Sequence, residues 1–374
     1  MNSETEQLIR DSLRGVVEIN RTERGLALSR LPEWTSIHHR HDSLTQKVAD
    51  QASGARLLLA TKASEITLVY RATRDATMDG WQAPPSTASI AVEGFEATTS
   101  HVDGDLWVWD GSVVGELRPG QDSIASFSLP ETDEVRTVSL WLPHNCKIEI
   151  IDLSANAALA AAEVPTTRWV HYGSSISHCV EAESPLGVWP SRVAQDLNLD
   201  LFSLGIAGSA NIEQFAAKTI RDTEADLISL KLGANVVAGA TMTERTFIPA
   251  VHAFLDTVRE THPYQPILLM SPIYAAGFES QPGPARTDAN GQTHGSQPSD
   301  LEWVKELNLR RVRDILEKIA LERQDPNLHY VDGLQLFGES DAHLMVDGLH
   351  PNADGYLLIA ERVRALLLGH RPNL

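Results

Sequence analysis

Cysteine is almost missing from this chain: 374 residues contain two, Cys146 and Cys179, and they form no spacing motif. Neither a disulfide framework nor a structural zinc site is therefore expected. Positive charge is also short, with 31 Lys+Arg against 50 Asp+Glu and a formal net charge of −19. Phosphate backbones recruit proteins that neutralise them, so nucleic acid is excluded as a partner, and so is an anionic membrane surface. No uncharged run reaches membrane-spanning length. Residues 1–20 carry Glu4, Glu6, Arg10, Asp11 and Arg14 where a signal peptide would need an apolar stretch. These absences predict a soluble, acidic, cytoplasmic protein, and the length predicts two domains rather than one core.

What is present divides into two rhythms. Over about 55–151 the pattern is short and strand-like. Arg56-Leu-Leu-Leu-Ala60 and Glu65-Ile-Thr-Leu-Val-Tyr70 are followed by candidates at 88–92, 106–109, 123–127, 135–142 and 147–151. Gly80, Pro84, Pro85, Gly94, Gly104, Pro119, Gly120, Pro130 and Pro143 punctuate them. Many short strands separated by turn residues, with little helical period, predict an antiparallel β-sandwich. An Ala-rich connector follows at 155–162. Beyond Pro165, strand candidates at 169–172, 200–204, 226–232, 266–270 and 327–331 alternate with helical periods, clearest at 247–260, 300–323 and 355–368. That alternation predicts a parallel α/β sheet covered on both faces, in which chemistry sits beyond the carboxyl ends of the strands. The expected division is 1–162 for the sandwich and 163–374 for the α/β domain.

Four strand-end loops carry reactive or special residues. Gly173-Ser174-Ser175-Ile176-Ser177 closes the first strand, and taken alone it reads as a turn or helix cap. Gly205-Ile-Ala-Gly208-Ser209-Ala-Asn211 follows the second strand, where glycine supplies unusual backbone angles. Gly233-Ala234-Asn235 follows the third. Asp347-Gly348-Leu349-His350-Pro351-Asn352 precedes the last helix. In this last loop a carboxylate three residues before a histidine can accept from one ring nitrogen while the other nitrogen faces a nucleophile.

The order Gly-x-Ser, glycine loop, Gly-x-Asn and Asp-x-x-His, each at a strand end, resembles the SGNH (GDSL-type) hydrolase and acyltransferase family over roughly 169–368. The resemblance implies a jelly-roll-like sandwich followed by a flavodoxin-like SGNH domain with a five-stranded parallel sheet. It further implies Ser175 as nucleophile, His350 as general base and Asp347 as its orienting acid. Gly208 (backbone N–H), Asn235 (side-chain amide) and the N–H of Ser175 itself would be the oxyanion donors. Two positions depart from the family pattern: Ser174 stands where an acid is usual, and Val236 follows Asn235. Ser174 is thereby the rival nucleophile. The Gly-x-Ser-x-Gly elbow of α/β-hydrolases is absent.

Taken with the sandwich placed ahead of the α/β half, the stretches 171–179 and 228–235 resemble two-domain acyltransferases of this family. That implies a small-molecule acyl ester or acyl thioester as substrate, with an aromatic acyl group among the options and no cofactor. Hydrolysis and transfer to an organic hydroxyl both stay open. So does a binding protein for a carbohydrate or polyketide on an inactive hydrolase scaffold. Ser174, His178, Asn211 and His144 (beside Asn145) are further positions expected to touch substrate. His38, His39 and His41 cluster, but an intervening Arg40 and the lack of a second ligand group argue against a metal. Trp107, Trp109, Trp141 and Trp189 fit packing better than a sugar site. The Gly-, Pro- and Ser-rich segment 277–299 is expected to border the substrate entrance.

Overall fold

The structure, a computed structural model, describes residues 1–109, 115–300 and 302–370. The chain forms two compact units. The first comprises Met1–Thr166 with Glu183–Ser191, and the second Thr167–Ala182 with Arg192–Leu374.

In the first unit, period-2 sequences become the faces of two sheets. Glu65–Thr77 buries every second residue over its whole length, and Ser123–Ser128, paired antiparallel to it, does the same. Alternation of this kind turns one face of a strand to the core and the other to water. The inward residues of one sheet (Leu57, Leu59, Ile90, Val138, Leu140) share a single apolar core with those of the other (Ile66, Leu68, Tyr70, Phe127, Ile148, Ile150). This is a β-sandwich, with one sheet running Leu13–Arg14, Arg56–Thr61, Arg136–Trp141, Ser86–Val92, Phe95–His101. Pairing is antiparallel except between Glu65–Thr77 and Asp105–Trp109, which run parallel.

Three expectations need revision here. The Ala-rich connector is in part a strand, since Leu159–Ala161 pairs with Arg56–Thr61 and extends the sheet. Phe95–His101 is a strand with little apolar content, formed because Ser86–Val92 offers it a full antiparallel partner. The first 54 residues also contribute elements: a helix Ser3–Ser12 capped by Asn2, a helix Ser43–Asp50 capped by Asp42, and strands Glu18–Arg21 and Leu26–Ser29. Trp141 and Trp189 are fully buried. Trp107 and Trp109 meet edge-on with ring centres 6.0 Å apart.

The second unit is built on five parallel strands, β1 (Arg168–Gly173), β2 (Asp200–Gly205), β3 (Leu227–Lys231), β4 (Ile267–Met270) and β5 (Leu328–Val331). Their order in the sheet is β2-β1-β3-β4-β5, the flavodoxin-like arrangement. β2, β3 and β4 are buried at every position, as a sheet covered on both faces requires. The helices that matter for the site are α1 (Ser175–His178), α2 (Gln214–Arg221), α3 (Ala234–Ala238), α4 (Glu244–Arg259), α5 (Leu309–Arg323) and α6 (Ala353–His370). The period read at 300–323 overreaches. α5 starts at Leu309, because the Asn308 side chain accepts the Arg311 N–H at 2.8 Å and sets the first turn there.

The order β2-β1-β3 puts the loops after these three strands side by side at one end of the sheet. The short helix α1 sits directly on two of those ends. A Cβ on Gly205 would lie 2.7 Å from the His178 nitrogen, and one on Gly173 would lie 2.2 Å from Ser177 Oγ. Gly205 therefore needs glycine for close backbone approach, and Gly173 leaves room for the Ser177 side chain. Gly205→Ala should push α1 off its seat, costing about 1–3 kcal/mol in chemical denaturation together with much of the activity. A variant of unchanged midpoint would contradict this packing.

Candidate active site

Ser175 is the first residue of α1, and its Oγ lies 2.9 Å from His350 Nε2. His350 Nδ1 in turn lies 2.8 Å from Asp347 Oδ2. The other carboxylate oxygen, Oδ1, accepts the backbone N–H groups of Leu349 (2.9 Å) and His350 (2.7 Å). Asp347 thus fixes both the turn and the ring. The bend between them passes through Gly348 at φ +81°, a left-handed conformation that favours glycine. Outside the turn, the Val346 N–H donates to the His350 carbonyl at 2.8 Å, and the Thr293 N–H donates to the Asp347 carbonyl at 2.7 Å. The second contact ties segment 277–299, which contains a short hairpin of Arg286–Thr287 with Thr293–His294, to the histidine turn.

The electrostatics of the turn follow from these contacts. Burial alone would raise the Asp347 pKa, but hydrogen bonds from the His350 ring and the two backbone N–H groups bring it down to about 2. Burial disfavours a charged His350. That effect is outweighed by the hydrogen bond to Asp347 and by the negative charges of Glu181 and Asp347, so its pKa is raised above 6.5. His350 therefore holds a proton more readily than an ordinary histidine.

The neighbouring loops supply donors. Asn235 is the second residue of α3, and its Oδ1 accepts the Ala210 N–H at 3.1 Å. With its oxygen engaged, the amide presents NH₂ as its donating end. The same bond ties the loop after β3 to the loop after β2, where Gly208 is exposed at φ +72°. That second loop is braced from below. The buried Tyr172 hydroxyl donates to Glu213 and accepts the Ile212 N–H at 3.2 Å, while Glu213 also accepts the Asn211 N–H at 2.6 Å.

The other residues expected to meet substrate fall differently. Ser174 is buried, and its hydroxyl accepts the Ile176 N–H at 3.4 Å as the cap of α1. It is Ser175, not Ser174, whose hydroxyl faces the histidine. His178 is fully buried at the end of α1. Asn211 is half-buried and accepts from Thr241 Oγ1 at 2.9 Å. His144 is buried within the first unit. His39 of the histidine cluster is buried, with Nε2 3.3 Å from Thr35 Oγ1.

Polar residues inside the buried strands were missed as contributors. His171 lies between Ser229 Oγ (2.7 Å from Nδ1) and Ser177 Oγ (2.8 Å from Nε2), so it braces α1 from underneath. Ser229 also accepts the Trp169 indole N–H at 2.8 Å. Burial, reinforced by the nearby Lys231 charge, drives the His171 pKa down to about 3 and keeps the ring neutral. Lys231 is itself buried, and burial brings its pKa down to about 8. The available signal was a histidine, a serine and a lysine set into the otherwise apolar runs of β1 and β3.

A flavodoxin-like sheet carrying serine, glycine loop, asparagine and Asp-x-x-His at successive strand ends is the framework of an SGNH-class enzyme. The chain belongs to the GDSL-like lipase/acylhydrolase family, whose pattern matches residues 171–358. Among solved structures it is similar to the salicylyl-acyltransferase SsfX3 from a tetracycline biosynthetic pathway, at 26% identity and TM-score 0.77, over 96% of this chain and 94% of that one. A GDSL-like lipase from Bacteroides ovatus aligns at 17% identity and TM-score 0.66, over 97% and 96% of the two chains. A family two carbohydrate esterase from Clostridium thermocellum aligns at 11% identity and TM-score 0.61, over 97% of this chain and 100% of that one. The last two likenesses are of fold. No curated protein sequence matches the chain.

The two histidines allow a clean test. Only neutral imidazole can take a proton from Ser175, so kcat/KM on an aryl ester should rise with pH through a limb centred above 6.5, the ordinary histidine value. His171→Phe should lower the unfolding free energy by about 1–3 kcal/mol, for the polar partners left unsatisfied, without moving that limb. A limb that shifts with His171 instead would show that the wrong histidine had been assigned.

Proposed function

We propose that this protein is a serine-dependent acyl-ester hydrolase working through an acyl-enzyme. The observation that carries the reading is the continuous relay of Ser175 Oγ, His350 and Asp347, with hydrogen bonds of 2.9 and 2.8 Å. Ser175 attacks the ester carbonyl carbon as its proton passes to His350 Nε2, and the bond to the leaving alcohol breaks as His350 returns that proton. Asp347 keeps Nδ1 protonated and so keeps Nε2 basic. The Asn235 amide and the N–H groups of Gly208 and Ser175 stabilise the tetrahedral oxyanion, each donor contributing about 2.7–4 kcal/mol in the transition state. Water then releases the acyl group. No step requires a cofactor, and the substrate class is a small-molecule acyl ester or thioester.

A second reading is transfer of an aromatic acyl group to an organic hydroxyl. It is favoured by the likeness to a salicylyl-acyltransferase along nearly the whole of both chains. Both readings share the acyl-enzyme and differ only in what intercepts it.

A fluorophosphonate probe should label Ser175, located by peptide mass spectrometry, and Ser175→Ala should lower kcat at least about a thousandfold. An adduct on Ser174, or turnover retained in Ser175→Ala, would overturn the mechanism. Asn235→Ala should lose about 10²–10³ in kcat with little change in KM. Product analysis on an aryl ester in dilute aqueous alcohol separates the two readings, because a transferase passes most of its acyl groups to the alcohol against a large excess of water, whereas a hydrolase passes most of them to water.

A further inference from the structure

Glu181 lies six residues beyond Ser175, on the segment that follows α1. Its Oε2 accepts the Tyr356 hydroxyl at 2.7 Å. Its Oε1 stands 3.8 Å from His350 Nδ1, the nitrogen that Asp347 already holds at 2.8 Å. Tyr356 sits on α6, four residues after the Asn352 carbonyl that its own N–H bonds, and its side chain is fully buried. The carboxylate is thus fixed by a rigid element rather than left on a mobile loop tip. Two carboxylates therefore converge on one face of a single imidazole, where a serine relay needs one.

We propose that Glu181, held by Tyr356, is a second positioning carboxylate for His350, sharing the Nδ1 side of the ring with Asp347. The inference rests on the reading of His350 as general base. When Ser175 gives its proton to Nε2 and its Oγ bonds to the acyl carbon, the ring becomes an imidazolium and Nδ1–H stays on Asp347. At 3.8 Å Glu181 makes no hydrogen bond to that nitrogen. It acts through charge, in a half-buried setting where such charges are poorly screened. Removal of Asp347 would leave Glu181 as the nearest carboxylate, able to take the Nδ1 proton after a small shift.

The titratable groups around this arrangement are few. His350 faces Asp347 and Glu181. Tyr356 faces Glu181, Cys179 and Asp347, and its burial together with these groups keeps the hydroxyl protonated, so it remains a donor. Cys179 in turn interacts electrostatically with the buried Lys231. A group that merely closed the surface would leave the base's titration untouched, whereas a charge beside the ring cannot.

The test uses the full-length enzyme and an aryl acetate, with kcat/KM followed across pH. Glu181→Gln removes a negative charge, so the imidazolium is less favoured and the acid limb should move down by about one pH unit. The plateau should fall by no more than about tenfold. Tyr356→Phe should move the limb the same way, and Glu181→Asp, which keeps the charge, should restore it. Asp347→Ala combined with Glu181→Gln should lose about tenfold more than the product of the single losses, because the substitute carboxylate is gone. A limb unmoved in both Glu181→Gln and Tyr356→Phe, or strictly multiplicative losses, would overturn the proposal. Ser175→Ala and fluorophosphonate labelling serve as the separate check: retained turnover there would sink the parent reading, whatever Glu181 does.

Discussion

The hydrogen bond between Ser175 Oγ and His350 Nε2 joins residues 175 positions apart in the chain. Nothing local maintains it, so each end must be held independently. At the serine end, α1 rests on Gly173 and Gly205 and is braced from below by His171 through Ser177. At the histidine end, Asp347 accepts two backbone N–H groups and the ring, and Thr293 pins its carbonyl. Reactive groups placed this way gain rate because their freedom has already been removed before substrate arrives. Glycine at 205 belongs to the same arrangement, because there the backbone of α1 meets the end of β2.

Two histidines in one unit show how environment sets protonation. His171 is enclosed by apolar strands with a buried lysine nearby, and its pKa falls to about 3. His350 is also largely shielded, but carboxylates stand on its Nδ1 side and its pKa rises. Burial pushes both rings toward neutrality; opposite charge reverses the outcome for one of them. The neutral ring serves as a strut, while the other keeps its Nε2 on the Ser175 hydroxyl. Asp347, brought down to about 2, remains an anion throughout the neutral range.

The family match and the structural likenesses agree on framework more than on substrate. A salicylyl-acyltransferase and carbohydrate esterases align with nearly the whole chain, and a shared fold hosts different acyl groups and acceptors. The sandwich unit is self-sufficient in core, with apolar residues of both sheets interleaved.

Much of this was legible in the residues. Period-2 runs marked the sandwich strands, alternation of strand and helix marked the parallel sheet, and Gly-x-Ser, Asn235 and Asp347-x-x-His350 marked the strand-end loops. Periodicity and short motifs are local, so a chain order suffices to show them. Other features escaped. Phe95–His101 lacks apolar alternation and is a strand only because a partner lies beside it, and α5 begins where Asn308 caps it rather than where the period begins. The choice between adjacent Ser174 and Ser175 needed the direction each side chain takes from α1. Glu181 and Tyr356 carry no motif at all; they meet His350 only because α6 and the segment after α1 converge. The sequence alone determined which residue types stand at which strand ends, since those follow from chain order. Only the tertiary structure decided which of them touch, because a 2.9 Å contact between distant residues depends on packing that no local pattern encodes.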